Sequence, residues 1–102
     1  VGDARKKTSF YEIPLIPQNH RTTTTISGVD YILSLHWNHE NETWIMDISS
    51  AANLPLVCGL ALVEGVDLLE QHEYLGIGAG MIMDALPTYD SLGVTANLYL
   101  VQ

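Results

Sequence analysis

The chain alternates between apolar and polar positions over most of its length. Tyr31, Leu33, Leu35 and Trp37 interleave with Ile32, Ser34, His36 and Asn38, and Trp44, Met46 and Ile48 interleave with Ile45, Asp47 and Ser49. A period of two is the signature of half-buried strands. The polar stretch Asn38-His39-Glu40-Asn41-Glu42-Thr43 between them has nothing to bury, so the two runs are expected to form a β-hairpin. Setting Trp37 opposite Trp44 pairs Leu35 with Met46 and Leu33 with Ile48, which gathers the large apolar side chains on one face. A second hairpin precedes it. Ser27-Gly28 reads as a two-residue turn in which glycine supplies a positive φ. Counting outward from it sets Ile26 against Val29, Thr24 against Tyr31 and Thr22 against Leu33. The run Thr22-Thr23-Thr24-Thr25 fits a strand, because β-branched side chains suit a pleated surface. Residues 9–16 form another candidate strand, placed at a sheet edge by Pro14 and Pro17, which lack amide donors.

The pattern changes at residues 54–63. Here Leu54, Leu56, Cys58, Leu60 and Leu62 alternate with residues that are themselves largely apolar, Val57, Ala61 and Val63. Such a strand is expected to be covered on both faces or to meet a partner. Cys58 is read as a small buried hydrophobe, and Gly59 as a bulge or a close backbone approach. After Gly65, residues 66–72 give the one candidate helix, of about two turns, with Asp67 favouring its N-terminal end. Residues 81–84 and 94–101 supply the last strands. The expected fold is all-β, a small barrel or sandwich of about seven mainly antiparallel strands with one short helix. Residues 1–8 are set aside as a flexible, appended or processed segment, and 9–102 are read as a single β domain.

Charge narrows the choice of partners. The formal net charge is −8, and of the twelve carboxylates only Asp3 and Glu12 precede Arg21. Beyond Arg21 there is no lysine or arginine, so ten carboxylates, from Asp30 to Asp90, face no basic residue in the body of the chain. A surface of that kind cannot neutralise phosphates or release their counterions, which excludes direct nucleic-acid binding and disfavours anionic membranes. Charged residues make up 16% of the chain, against about 25% in ordinary domains. Much of the surface is therefore neutral, as suits a subunit partly covered by neighbours. A single cysteine excludes an internal disulfide, and no apolar run approaches the roughly 18 residues that span a bilayer.

Candidate chemistry is sparse. His36, His39, Glu40 and Glu42 gather near the second hairpin, but the two histidines fall on opposite sides of a strand end with no third nitrogen or sulfur ligand beside them, so no metal is assigned. Gly76-Ile77-Gly78-Ala79-Gly80 lacks the Lys-Ser/Thr and the following helix of a phosphate loop and reads as a tight connection. Asn41-Glu42-Thr43 matches a glycosylation sequon, which carries meaning only in a secreted chain. His20, His72, Ser49 and Ser50 define no nucleophile and base by spacing alone. No catalytic residue and no cofactor is assigned.

Several words of the sequence, taken in order, carry a resemblance. They are Phe10-Tyr11-Glu12-Ile13-Pro14-Leu15, the run from Gly28 through Tyr31-Ile32-Leu33 to Trp37-Asn38, and Trp44-Ile45-Met46-Asp47-Ile48. Further along come Gly65-Val66-Asp67-Leu68-Leu69, Tyr74-Leu75-Gly76-Ile77-Gly78, Pro87-Thr88-Tyr89-Asp90-Ser91-Leu92-Gly93 and Leu98-Tyr99-Leu100-Val101. Over about residues 9–102 the chain resembles the small baseplate plug family of contractile-tailed bacteriophages, as found in simple cyanophage-type tails. One departure is the threonine run, since the resemblance implies larger apolar side chains at Thr22 and Thr24. It also implies a virion structural protein without enzymatic activity. Such a protein is assembled in the host cytoplasm and sits in the tail baseplate, where the tail tube meets hub and spike proteins, as part of a symmetric homo-oligomer. The apolar surplus then marks Leu54, Leu56, Val57, Leu60, Leu62, Val63, Val94, Tyr99 and Val101 as candidate partner contacts. Asp47, Asp84 and Asp90 are candidate acids facing the DNA conduit. Two rival readings are a small soluble β-barrel binding a ligand or metal through the His36 to Glu42 tip, and a hydrolase-type enzyme whose site is not visible in sequence.

Overall fold

Alternation with a period of two over the first half of the chain produces one continuous antiparallel sheet. The computed structural model describes residues 10–77 and 79–101; the segment 1–8 and Ser9, the expected start of the first strand, lie outside the described residues. Seven strands are present: β1 (Phe10–Ile13), β2 (His20–Ile26), β3 (Val29–Asn38), β4 (Thr43–Ser50), β5 (Pro55–Ala61), β6 (Gly80–Met83) and β7 (Leu98–Val101). β2 to β5 pair in sequence order as a four-stranded sheet, and the remaining three form a second sheet in the order β1-β7-β6. Every named pairing is antiparallel. The two sheets bury their inner faces in one core as an open sandwich and do not close into a barrel.

Both hairpins take the register expected from the pattern. Trp37 pairs with Trp44, Leu35 with Met46 and Leu33 with Ile48, while Ile26 faces Val29, Thr24 faces Tyr31 and Thr22 faces Leu33. Ser27 and Gly28 both have positive φ, 52° and 82°, which is the turn whose twist matches that of the flanking strands. The inward side chains Ile26, Leu33, Leu35, Trp44, Met46 and Ile48 are buried, and Met81, Met83, Leu98 and Leu100 meet them from the other sheet. Trp37 is partly buried and packs on this cluster. β1 lies at a sheet edge and ends before Pro14, as its missing donor requires.

Three expectations need correction. Residues 54–63 do not form a strand covered on both faces: β5 spans Pro55–Ala61 at the sheet edge, with Val57 buried and Pro55, Cys58, Gly59 and Ala61 exposed, so of the two expected arrangements only contact with a partner is left. Between Met46↔Leu60 and Ile48↔Val57 the chain advances two residues on β4 and three on β5, so β5 carries a bulge at the expected Gly59. Gly59 has φ +77°, and its N–H donates to Asp47 Oδ1 at 2.8 Å. The bulge turns Cys58 outward, so it is exposed rather than buried.

The helical segment also begins later and winds tighter than expected. Residues 66–69 form turns, and a 3-10 segment spans Glu70–Leu75, with His72 off helical geometry. Asp67 does not lead a helix; its carboxylate accepts N–H bonds from Leu69 and Met81. The third correction falls at the C-terminal end, where β7 begins at Leu98 rather than Val94. The carbonyl of Ser91 collects the N–H groups of Val94, Thr95 and Ala96 at 2.9, 3.1 and 3.0 Å. That local turn withdraws the donors a strand would need.

Candidate assembly surfaces

The outer face of the three-stranded sheet is largely apolar, with Glu12 and Asp84 among its side chains. The register places Phe10 opposite Val101, Glu12 opposite Tyr99, and Tyr99 opposite Ile82. Successive side chains of a strand leave opposite faces, so Phe10, Ile82, Tyr99 and Val101 share the side turned away from the core. Phe10 is 61% exposed, and a shallow hollow of about 340 Å³ lies between Phe10, Ile82, Asp84 and Tyr99. Tyr99 and Val101 were expected on sequence grounds. Phe10 and Ile82 were missed, although Ile82 stands between the buried Met81 and Met83 and so had to face outward.

The other expected contact residues lie elsewhere. Leu54 is 64% exposed at the entrance to β5 and Val63 is exposed just beyond its end; Leu56 and Leu60 are partly buried against the core. Val57 and Leu62 point into the domain's own core, so their apolar character is used within the chain. Val94, 62% exposed, sits on the Ser91 turn, apart from β7.

The acids divide into two kinds. Asp84 accepts the N–H of Asn97 at 2.7 Å while its own N–H donates to the Asn97 carbonyl at 3.1 Å. Asp47 holds the β5 bulge. Asp67 Oδ1 takes the N–H groups of Leu69 and Met81 at 3.0 and 3.1 Å, which ties the 3-10 region to β6. A Cβ at Gly80 would stand 2.9 Å from both Asp67 oxygens, so the glycine makes room for this carboxylate. Asp90 is exposed on its loop. Removing the Asp67 carboxylate strands two donors, and charge-assisted bonds of this type are worth about 1.5–3 kcal/mol. Asp67→Ala is therefore expected to destabilise the domain by about 2 kcal/mol in urea unfolding, with Asp90→Ala unchanged; equal midpoints for the two variants would contradict this assignment.

A third surface lies at the β3–β4 end. Trp37 packs edge-on against Trp44 and Tyr89, with centroids at 5.6 and 5.4 Å, and His39 stacks on Tyr89 at 6.3 Å. Three chain segments are fastened here by side-chain bonds. Asn19 Oδ1 accepts the N–H of Trp37 at 2.9 Å, and Trp37 Nε1 donates to His39 Nδ1 at 3.3 Å. Trp44 Nε1 donates to the Thr88 carbonyl at 2.8 Å, and Ser91 Oγ accepts the Thr88 N–H at 2.7 Å. Between Gln18, Asn19, Trp37, His39, Trp44 and Tyr89 lies a cleft of about 350 Å³. Among the described residues no three of His, Cys, Asp and Glu converge on a point where a metal ion would sit.

The described residues thus form a small antiparallel sandwich with a largely apolar outer sheet face and a fastened aromatic end. Residues 10–102 match the family described as cyanophage baseplate Pam3 plug gp18, and the chain belongs to that family. No individually curated protein matches the sequence. Membership makes the chain a structural component of a phage tail baseplate, located in the virion tail and in contact with other baseplate components.

Proposed function

We propose that the protein is a plug-like subunit at the junction of the tail tube with the hub and spike proteins, acting by symmetric assembly and without catalysis, after folding in the host cytoplasm. The observation that carries this reading is the outer face of the β1-β7-β6 sheet. Phe10, Ile82, Tyr99 and Val101 share an outer sheet face that the described chain leaves uncovered. Exposed apolar patches rimmed by polar groups mark contact sites, and aromatic side chains at their centre supply most of the binding energy. Leu54 and Val63 give a second, smaller contact at the β5 edge.

The acids support a place beside the genome. From residue 22 onward the chain has ten carboxylates and no lysine or arginine, so that part offers DNA no phosphate contacts and repels the duplex rather than retaining it. Asp90 is the freest of the three candidate conduit acids, whereas Asp47 and Asp84 also hold backbone. Ile82→Glu combined with Tyr99→Glu tests the contact face. Both side chains point away from the core, so the isolated variant should keep its thermal midpoint within a few degrees of the parent while phage carrying it yield few complete tails. Normal tail yield with the variant incorporated would remove this face from the assembly.

A further inference from the structure

Three of the four sheet edges carry devices that block further strand pairing. β5 has Pro55 and the bulge at Gly59. β1 is four residues long and stops at Pro14. β6 is covered, because the N–H groups of Gly65 and Leu68 donate to the Met83 and Met81 carbonyls at 3.1 and 2.8 Å. Short edges, prolines, bulges and covering segments are the usual protections against strand addition. β2 has none of them. Its seven residues, His20–Ile26, include four consecutive threonines and no Pro, Lys or carboxylate. They pair with β3 in unbroken register, and among the described residues β3 is their one strand partner.

Ile26 and Val29 close the two-residue turn as a hydrogen-bonded pair, and such pairs alternate along an antiparallel ladder. His20, Thr22, Thr24 and Ile26 therefore address β3, while the backbone N–H and C=O groups of Arg21, Thr23 and Thr25 point away from the sheet. That set is symmetric about Thr23. A second β2, antiparallel across a twofold axis at Thr23, sets Thr23 against Thr23 and Arg21 against Thr25, each pair exchanging two bonds. Charge favours the same arrangement. Arg21 is the one lysine or arginine among the described residues, and its guanidinium donates to the neutral Asn53 Oδ1 at 2.6 Å. Asp30 stands opposite Thr25 on β3 and accepts the Thr25 hydroxyl at 2.6 Å. Within one chain Arg21 and Thr25 are about 13 Å apart along the strand. Across the twofold, each Arg21 comes directly opposite Thr25 of the other copy, about 10 Å from Asp30 between Cα atoms and on the same exposed face. Guanidinium and carboxylate then meet twice, and no two carboxylates are set opposite each other. We propose that β2 is a self-pairing edge that joins two copies of this chain into one continuous antiparallel sheet. The contact is isologous, so it closes a pair and uses up the free edge. It does not depend on the subunit's place in the tail, and it is separate from the face that bears Phe10 and Tyr99.

Sedimentation velocity of the full chain is expected to show a monomer–dimer equilibrium. Thr23→Pro removes the central outward donor without taking a bond from β3, so circular dichroism should match the parent while dimerisation weakens at least about tenfold. R21E sets carboxylate against carboxylate and should weaken it by a similar factor at low salt, about 20 mM. R21E/D30R restores the attraction with the signs exchanged and should recover most of that loss. The Ile82→Glu, Tyr99→Glu variant should dimerise like the parent. A parent that stays monomeric, a folded Thr23→Pro variant that dimerises like the parent, or an R21E/D30R variant no tighter than R21E would each overturn the proposal. Loss of the dimer in the Ile82→Glu, Tyr99→Glu variant would assign it to the other sheet and overturn it as well.

Discussion

Replacing Trp44 with alanine should lower the thermal midpoint of the domain by about 20 °C. The indole is completely buried, at 0% exposure, on the inner face of β4 beside Trp37 and Thr88. Truncating a buried Trp to Ala costs about 3–5 kcal/mol, and each kcal/mol moves the midpoint of a domain this size by about 4–8 °C. The loss is not only one of packing. Trp44 Nε1 holds the Thr88 carbonyl at 2.8 Å, so the variant also releases the long segment whose Tyr89 completes the aromatic cleft. Trp37→Ala is the natural comparison, since Trp37 pairs with Trp44 but is only partly buried. Its midpoint should fall by less than half as much in the same calorimetric scan. Equal effects would show that the two rings share the burden and that the assignment of Trp44 as the anchor is wrong.

Gly93→Ala is expected to be nearly as damaging, for a different reason. Gly93 has φ +78°, and a Cβ there would lie 2.0 Å from the Leu15 carbonyl oxygen and 2.5 Å from its carbon. A left-handed backbone costs an alanine about 1–2 kcal/mol, and forcing the Leu15 backbone aside adds about 1–3 kcal/mol of overpacking. Gly59 separates the two terms, because it has φ +77° with nothing within 4 Å of its would-be Cβ. Gly59→Ala should therefore show the conformational cost alone. Denaturant unfolding of both variants checks this: Gly93→Ala should lose at least about 1 kcal/mol more than Gly59→Ala. Indistinguishable midpoints would mean that the β1–β2 connection yields freely and does not fix the 84–97 segment.

The first two hairpins could be read residue by residue because their signals are local. Alternation assigns the faces, and the Ser27-Gly28 turn sets the count, so a slip of one residue would have turned Leu33, Leu35, Met46 and Ile48 outward. The sequence was silent about β1 with β7. Ile13 and Leu98 pair across most of the chain, and nothing in four-residue strands names so distant a partner. Residues 54–63 misled because a run of apolar residues looks the same whether both faces of the strand are covered or one is open. Residues 94–97 alternate as a strand would, yet the Ser91 carbonyl and the left-handed Gly93 close them into a turn. Likewise, the carboxylate of Asp67 accepts the Leu69 N–H and, from β6, the Met81 N–H, where the sequence suggested a regular helix. Of the residues chosen for a surplus of apolar surface, Tyr99 and Val101 lie on the outer sheet face, whereas Val57 and Leu62 are buried in the domain's own core. The aromatic cleft joins segments near residues 18, 37 and 89 and is a product of the fold alone.

Beyond Arg21 the chain is anionic, the outside of one sheet carries Phe10, Ile82, Tyr99 and Val101, and Trp37, Trp44 and Tyr89 meet at the β3–β4 end. These features agree with a small part that neighbours hold in place and whose carboxylates offer the genome little to bind. Cryo-electron microscopy of intact tails, with this chain traced in the baseplate, tests that account most directly. It predicts copies on the tail axis between the tube and the hub, with Phe10, Ile82, Tyr99 and Val101 covered by a neighbouring protein. Tails that lack the chain, or that carry it on the outer rim with this sheet face open to solvent, would contradict it.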